Sequence, residues 1–172
     1  METTPIPRLS DGVIYLRRLT QADAAAHLAG EDEDMAKWLS GGHSTAATVR
    51  TAIDKFAEQW RTGGPRRALG VFDCSNDRLI GFVEANLELP GDSAEVNVSY
   101  GIFPEWRGQG LAGRAVNLMA EYLRSATDAR GILLQIAPEN SRSIRVAEKA
   151  GFVLVGVHEF AEGQRVRYVR KL

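Results

Sequence analysis

Apolar and polar positions along the chain change period several times, and each change marks an element. Val13 to Leu19 alternates imperfectly and predicts a first strand. Thr20 then offers a helix N-cap with Asp23 near the first turn, so a helix follows to about Gly30. Glu31-Asp32-Glu33-Asp34 opens a second, short helix ending near Trp38 and Leu39, its carboxylates placed favourably for the helix dipole. Gly41-Gly42 breaks the chain, Ser44 or Thr45 caps the next helix, and Val49, Ile53, Phe56, Ala57 and Trp60 recur at helical spacing, which predicts one buried face. Gly63-Gly64-Pro65 ends it.

Arg66 to Phe72 and Arg78 to Leu89 predict two strands around an Asn76-Asp77 turn, and Pro90-Gly91-Asp92 turns the chain into the next one. From Val96 to Leu123 the period passes from strand to helix. The strand runs from Glu95 to Phe103 and breaks at Pro104; beyond a glycine-rich turn, Leu111, Ala115, Leu118, Met119 and Tyr122 form an apolar helical stripe. Ala126 to Gly131 reads as a loop, Ile132 to Ile136 as an unbroken apolar strand suited to a sheet interior, and Ser141 to Ala150 as a fourth main helix with Gly151 as its C′ residue. Phe152 to Glu159 and Arg165 to Arg170 make a terminal hairpin around Ala161-Glu162-Gly163. No repeat or linker composition interrupts the 172 residues, which suit one domain, 1–172, with a sizeable core.

Composition narrows the function. A formal net charge of −1 argues against a dedicated nucleic-acid binder. Arg165, Arg167, Arg170 and Lys171 fit an exposed strand face better than a phosphate-binding patch. No run of about 18 apolar residues suggests a membrane span, and Met1 to Ser10 lacks an apolar signal core, so a cytoplasmic protein is expected. Cys74 is the only cysteine, which excludes an intrachain disulfide and a cysteine-based metal site. His27, His43 and His158 lack metal spacing; no metal is implied, and His158 is expected in the core or a cleft.

The candidate chemistry lies in Arg107-Gly108-Gln109-Gly110-Leu111-Ala112. Gly108 and Gly110 permit positive φ and a close approach of backbone to a ligand, and the N–H groups at the following helix start can converge on a diphosphate. A Walker loop is ruled out because Arg114 and Ala115 stand where lysine and Ser/Thr are needed. The match of Gly108, Gly110 and Gly113 to a dinucleotide fingerprint lacks the second βαβ unit and its acidic ribose ligand.

The turn fits the R/Q-x-x-G-x-G/A coenzyme A motif of the GNAT superfamily of acyl-CoA-dependent N-acyltransferases. Asn140-Ser141-Arg142-Ser143 followed by Ala147-Glu148-Lys149-Ala150-Gly151-Phe152 resembles its N-x-x-S…EK-x-GF segment. Leu16-Arg17-Arg18-Leu19-Thr20 and Gly81-Phe82 are similar to the subgroup of ribosomal-protein N-acetyltransferases. The resemblance implies an α/β (α+β) fold: a mixed, mostly antiparallel central sheet of about seven strands with a splayed parallel pair, flanked by about four helices. Glu95 to Phe103 and Ile132 to Ile136 would be that pair. It further implies acetyl-CoA as donor, with its pantetheine arm on the backbone of Gly101, Ile102 and Phe103. Its diphosphate would lie on the turn from Arg107, Gly108, Gln109, Gly110, Leu111 and Ala112 to Gly113, and Asn140 and Ser143 would lie beside it. The acceptor would be a primary amine, on a small molecule or a protein N-terminus, that attacks directly. A non-catalytic acyl-CoA-binding module and a succinyl-CoA-type acyltransferase are the alternatives, and a homodimer is compatible with the resemblance.

Catalytic residues follow from the same resemblance. Ala147 stands where many members carry a tyrosine acid, so Ser143 is the substitute proton donor to the thiolate. Glu162 in the terminal hairpin is one candidate base. Glu95 is the other, two residues before the usual position, here Asn97, and on one strand face with Asn97 and Ser99. Trp38, Phe56 and Trp60 either line an acceptor pocket or pack the core, and Glu31 to Asp34 are the helix start or an acidic rim that attracts a cationic amine.

Overall fold

Strand β3 (Arg66–Asp73) and strand β4 (Leu79–Asn86) form a hairpin that the rest of the sheet extends in both directions. In a computed structural model, which describes residues 9–88 and 94–172, β1 (Leu9–Ser10) and β2 (Ile14–Arg17) add on one side. On the other side β5 (Glu95–Ile102), β6 (Gly131–Ile136), β7 (Val153–Phe160) and β8 (Gly163–Lys171) complete the spatial order β1-β2-β3-β4-β5-β6-β8-β7. Every pairing is antiparallel except β5 with β6. The helices are α1 (Ala24–Gly30), α2 (Glu33–Met35, running into a π-helical turn Ala36–Ser40), α3 (Ala46–Thr62), α4 (Leu111–Ala126) and α5 (Ser141–Lys149). None is long and apolar enough to cross a membrane.

The architecture is thus the expected one, with eight strands rather than about seven and five helices rather than about four among the described residues. The extra strand is the two-residue β1, which pairs through Leu9 with Leu16 and is too short to leave a period in the sequence. The expected Pro90-Gly91-Asp92 turn and the end of the strand at Leu89 lie outside the described residues.

The core has two parts, one on each face of the sheet. On one face α4 lays Leu111, Ala115, Leu118, Met119, Tyr122 and Leu123 over Leu16, Val71, Ile80, Val96, Val98 and Leu134, as its apolar stripe predicts. On the other, Val49 and Ile53 of α3 and Ala24 of α1 cover Tyr15, Phe72 and Leu79, with Phe103 in the same cluster. Ala57, read as part of the buried face of α3, is exposed. At the far edge β7 leaves Val153, Leu154, Val155 and Val157 in solvent, each more than half exposed.

Asp23 ties β2 to α1. Its carboxylate accepts two hydrogen bonds from the Arg17 guanidinium, both at 2.9 Å, and one each from Thr20 N (2.7 Å) and Thr20 Oγ1 (2.9 Å). Burial alone would raise its pKa, but the Arg17 and Thr20 bonds outweigh burial and hold it below the usual carboxylate value. Stability from this group is therefore present above the unfolded-chain value near pH 4 and lost as pH falls through the lower folded value. Asp23→Ala is expected to lower unfolding free energy by about 2 kcal/mol at neutral pH, with a smaller gap to wild type at pH 3, measured by urea titration at both.

Candidate active site

The parallel pair is where the sheet opens. Glu95, Val96 and Asn97 of β5 register with Gly131, Ile132 and Leu133 of β6, and pairing stops there. From Val98 to Ile102 the β6 side of β5 has no strand partner among the described residues, while its other side stays on β4 through Ile102, opposite Gly81. A cavity of about 350 Å³ opens at this splay and runs to the start of α4; Gly101, Ile102, Arg107, Gly108, Gly110 and Leu111 contribute to its wall. A smaller space of about 70 Å³ includes Ser99, Gln135 and Arg165. Trp38, Leu39, Tyr100, Asn140 and Ser143 border both.

The glycine turn has the conformation its sequence requires. Gly108 and Gly110 adopt φ of +77° and +76°, and a Cβ on either would meet nothing within 4 Å, so the space above the turn is open. Gly110 is the N-cap of α4, and the first helical bond runs from Arg114 N to Gly110 O. The N–H groups of Leu111, Ala112 and Gly113 therefore have no acceptor within the helix. Two backbone-lined glycines, open space and three free N–H groups at the positive end of a 16-residue helix make a cradle that fits a diphosphate.

Arg107 orients this turn from below. Its guanidinium donates to both oxygens of Asp32, at 2.6 and 2.9 Å, and to the Ile102 carbonyl at 2.8 Å. Hydrogen bonding by Arg107 holds the Asp32 carboxyl below its ordinary value against the opposing effect of burial. Asp32 also caps α2 through Met35 N. One ion pair thus joins the second helix, the end of β5 and the glycine turn.

On the opposite wall, Asn140 Oδ1 caps α5 by accepting from Ser143 N at 3.1 Å. The Tyr100 hydroxyl donates to the Ser143 carbonyl at 3.4 Å, and burial pushes the Tyr100 phenol up. Ala147 is fully buried one turn further along α5.

The structure gathers most of the expected site residues and leaves others out. Gly101, Ile102, Arg107, Gly108, Gly110, Leu111, Ala112, Asn140 and Ser143 border one cavity. Gln109 is exposed, and neither it nor Gly113 borders the cavity, although Gly113 N–H is in the first turn of α4. Phe103 stands apart from Gly101 and Ile102: it borders neither space, its N–H donates to Ile80 O, its carbonyl accepts from Trp106 N, and its ring is buried in the second core. Glu95 sits at the closed end of the parallel pair, four residues and roughly 13 Å along the strand from Ser99. Glu162 lies exposed in the turn between β7 and β8.

Outside these positions, the acidic rim is occupied from within except at Glu33, which is exposed. Glu31 accepts from Ser44 N and Oγ, both at 2.6 Å, Asp32 holds Arg107, and Asp34 pairs with Arg142 at 3.0 Å. Trp38 borders the cavities, whereas Trp60 packs edge-on against Tyr122 and Phe56 reaches neither space. His158 is neither core nor cleft: it is exposed on the edge strand β7, against Phe160.

Sequence reasoning missed Tyr100 and Glu84. Tyr100 alternates with Val96 and Val98 on the helix-covered face and reaches the cavity only because β6 has diverged. Glu84 is one of two buried charged residues among the described ones. It pairs with Arg66 of β3, and burial pushes its carboxyl up against the opposing pull of Arg66. Its signal was a lone charge inside the apolar run from Leu79 to Ala85.

Comparison with known proteins agrees with this geometry. Residues 14–153 match the model of the acetyltransferase (GNAT) domain. The chain is 28% identical over 155 residues to the probable N-acetyltransferase YjcK of Bacillus subtilis (strain 168), covering 87% of this chain and 85% of that protein. Its fold matches the ribosomal-protein-S5-alanine acetyltransferase of Vibrio fischeri with a TM-score of 0.79 at 19% identity, over 96% of this chain and 97% of that one. It also matches RimL, a ribosomal L7/L12 alpha-N-protein acetyltransferase solved with coenzyme A, with a TM-score of 0.81 at 16% identity, over 95% and 96%. With the motif, the splayed pair and the cradle in place, the chain belongs to the GNAT acetyltransferase family, whose reaction is the acetyl-CoA-dependent acetylation of an amine.

Proposed function

We propose that this protein transfers the acetyl group of acetyl-CoA directly to an aliphatic primary amine, on a small molecule or a protein N-terminus, with Ser143 as proton donor to the departing thiolate. The carrying observation is that Ser143, Asn140 and Tyr100 border both the cavity at the glycine turn and the smaller space beyond the splay. A donor reaching in from the turn and an amine arriving from the other side would meet beside one hydroxyl. Acetyl-CoA would supply the activated thioester. Gly108, Gly110 and the N–H groups of Leu111, Ala112 and Gly113 would hold its diphosphate, and Gly101 and Ile102 would line its arm.

Neither candidate base, Glu95 or Glu162, borders either space, so the attacking nitrogen would give its proton to water, and the proton that Ser143 passes to the thiolate would be replaced from solvent. The reading is tested by following thiol release from acetyl-CoA across a panel of alkylamines and short peptides. Ser143→Ala is expected to lower kcat about 100-fold, the range of a lost general acid, while acetyl-CoA affinity measured by calorimetry stays within about twofold. Binding of acetyl-CoA with no turnover for any amine would point instead to a non-catalytic binding module.

A further inference from the structure

A buried carboxylate lies one strand behind the smaller space, without bordering it. Register puts Glu84 of β4 directly across from Ser99 of β5, which sets their Cβ atoms about 5 Å apart on one face of the sheet. Ser99 borders the smaller space together with Gln135 and Arg165. The next pair on that face is Asn86 with Asn97, and Asn97 Oδ1 is buried without a hydrogen-bond partner among the described residues. A buried amide oxygen without a donor is costly, and a ligand N–H or a water would relieve it.

Glu84 itself is incompletely matched. Arg66 reaches its Oε1, but the Arg66 side chain is 48% exposed while that of Glu84 is 10% exposed. A carboxylate taken that far out of water is stabilised only in part by a solvated guanidinium, which is why burial prevails and its pKa stays raised. A second cation at this position would lower the cost of keeping the carboxylate ionised. Of the acidic residues in the α2 region, Glu31, Asp32 and Asp34 are already engaged by Ser44, Arg107 and Arg142, and Glu33 faces solvent.

Resting on the acyl-transfer reading, we propose that Glu84 is the recognition site for the acceptor's ammonium group, with Asn97 Oδ1 as a neighbouring acceptor, so that the enzyme selects amines charged at neutral pH over neutral arylamines. Glu84 acts here on binding: it draws the cation to the side of β5 that carries Ser99, within one cross-strand step of the space bordered by Ser143. Arg66 competes for the same carboxylate and weakens the attraction.

The test uses the full chain loaded with CoA and an aliphatic diamine as probe. Calorimetric titration is expected to show binding at least tenfold weaker in Glu84→Gln than in wild type. Arg66→Met, which keeps the carboxylate and removes its competitor, is expected to bind the diamine more tightly. CoA affinity should change less than twofold in both variants, and the KM of a neutral arylamine in turnover should be unmoved by Glu84→Gln. Equal diamine affinity in Glu84→Gln and wild type overturns the proposal. So does a parallel loss of diamine binding and thermal stability in both variants, which would make the Glu84 and Arg66 pair purely structural. Because the diamine is read by binding, a wild-type protein that binds it through Glu84 but acetylates no amine would support this proposal while overturning the acyl-transfer reading.

Discussion

Gly110→Asp is expected to abolish acetyl-CoA binding while leaving the fold intact. The two halves of that expectation have separate causes. Gly110 holds φ of +76° with nothing within 4 Å of an added Cβ; aspartate is among the few residues that visit the left-handed region, so the conformational cost is about 1 kcal/mol. The new carboxylate, however, stands at the N-terminus of α4, where the ligand's diphosphate would lie. Like charges brought together at an interface cost several kcal/mol, and about 4 kcal/mol is a thousandfold in Kd. Gly110→Asn has nearly the same shape and backbone preference without the charge. Calorimetry should therefore show Gly110→Asn within about tenfold of wild type and Gly110→Asp with no measurable heat, both unfolding at similar temperatures. Equal losses in the two variants would assign the effect to shape rather than to the anion cradle.

The second large effect is structural. A Cβ on Gly81 would lie 2.2 Å from the Gly101 carbonyl oxygen and 3.0 Å from Ile102 Cα, both backbone atoms of the neighbouring strand. No side-chain rotation relieves that contact; β4 and β5 must move apart. Overpacking of this kind costs about 3 kcal/mol, a large part of the stability of an ordinary domain. Because Gly101 and Ile102 border the larger cavity, Gly81→Ala should lower the urea midpoint and weaken acetyl-CoA binding together. A variant that keeps its midpoint but loses binding would show that the strands had yielded without loss of packing.

What could be read from the chain and what could not divide along the range of the interactions involved. The positive φ at Gly108 and Gly110 and the capping of α4 and α5 depend on a few adjacent residues, and the sequence displays them. Phe103 looked equivalent to Gly101 and Ile102 because all three end one strand; what removes it is a bond to Ile80 on another strand. The acidic run from Glu31 to Asp34 reads from the chain as a helix start or an acidic rim; that three of its carboxylates are held by Ser44, Arg107 and Arg142 shows only once the fold brings those residues near. Glu95 was placed on the right face but too far from the opening, since only the register of β5 with β6 shows where pairing ends. Glu84 becomes legible when Ser99 is known to lie opposite. For Phe103, Glu95 and Glu84 the missing information was a cross-strand address.

The short contact between β5 and β6 also shapes how the molecule folds. The β3, β4 and β5 meander and the β7 and β8 hairpin join sequence neighbours, whereas Glu95 must find Gly131 across the whole of α4. Parallel pairing of that kind is slow because loop closure precedes any reward, and here the reward is three residue pairs. The seam is therefore the natural place for local opening, with faster amide exchange than the meander on either side. A ligand that spans it would tighten both halves at once, by about 2.7 kcal/mol at a hundred times its Kd. A substitution that let the strands zip on beyond Asn97 and Leu133 would gain stability by closing the gap in which the proposed reaction would take place, so on that reading evolution toward a more cooperative sheet would be evolution away from catalysis.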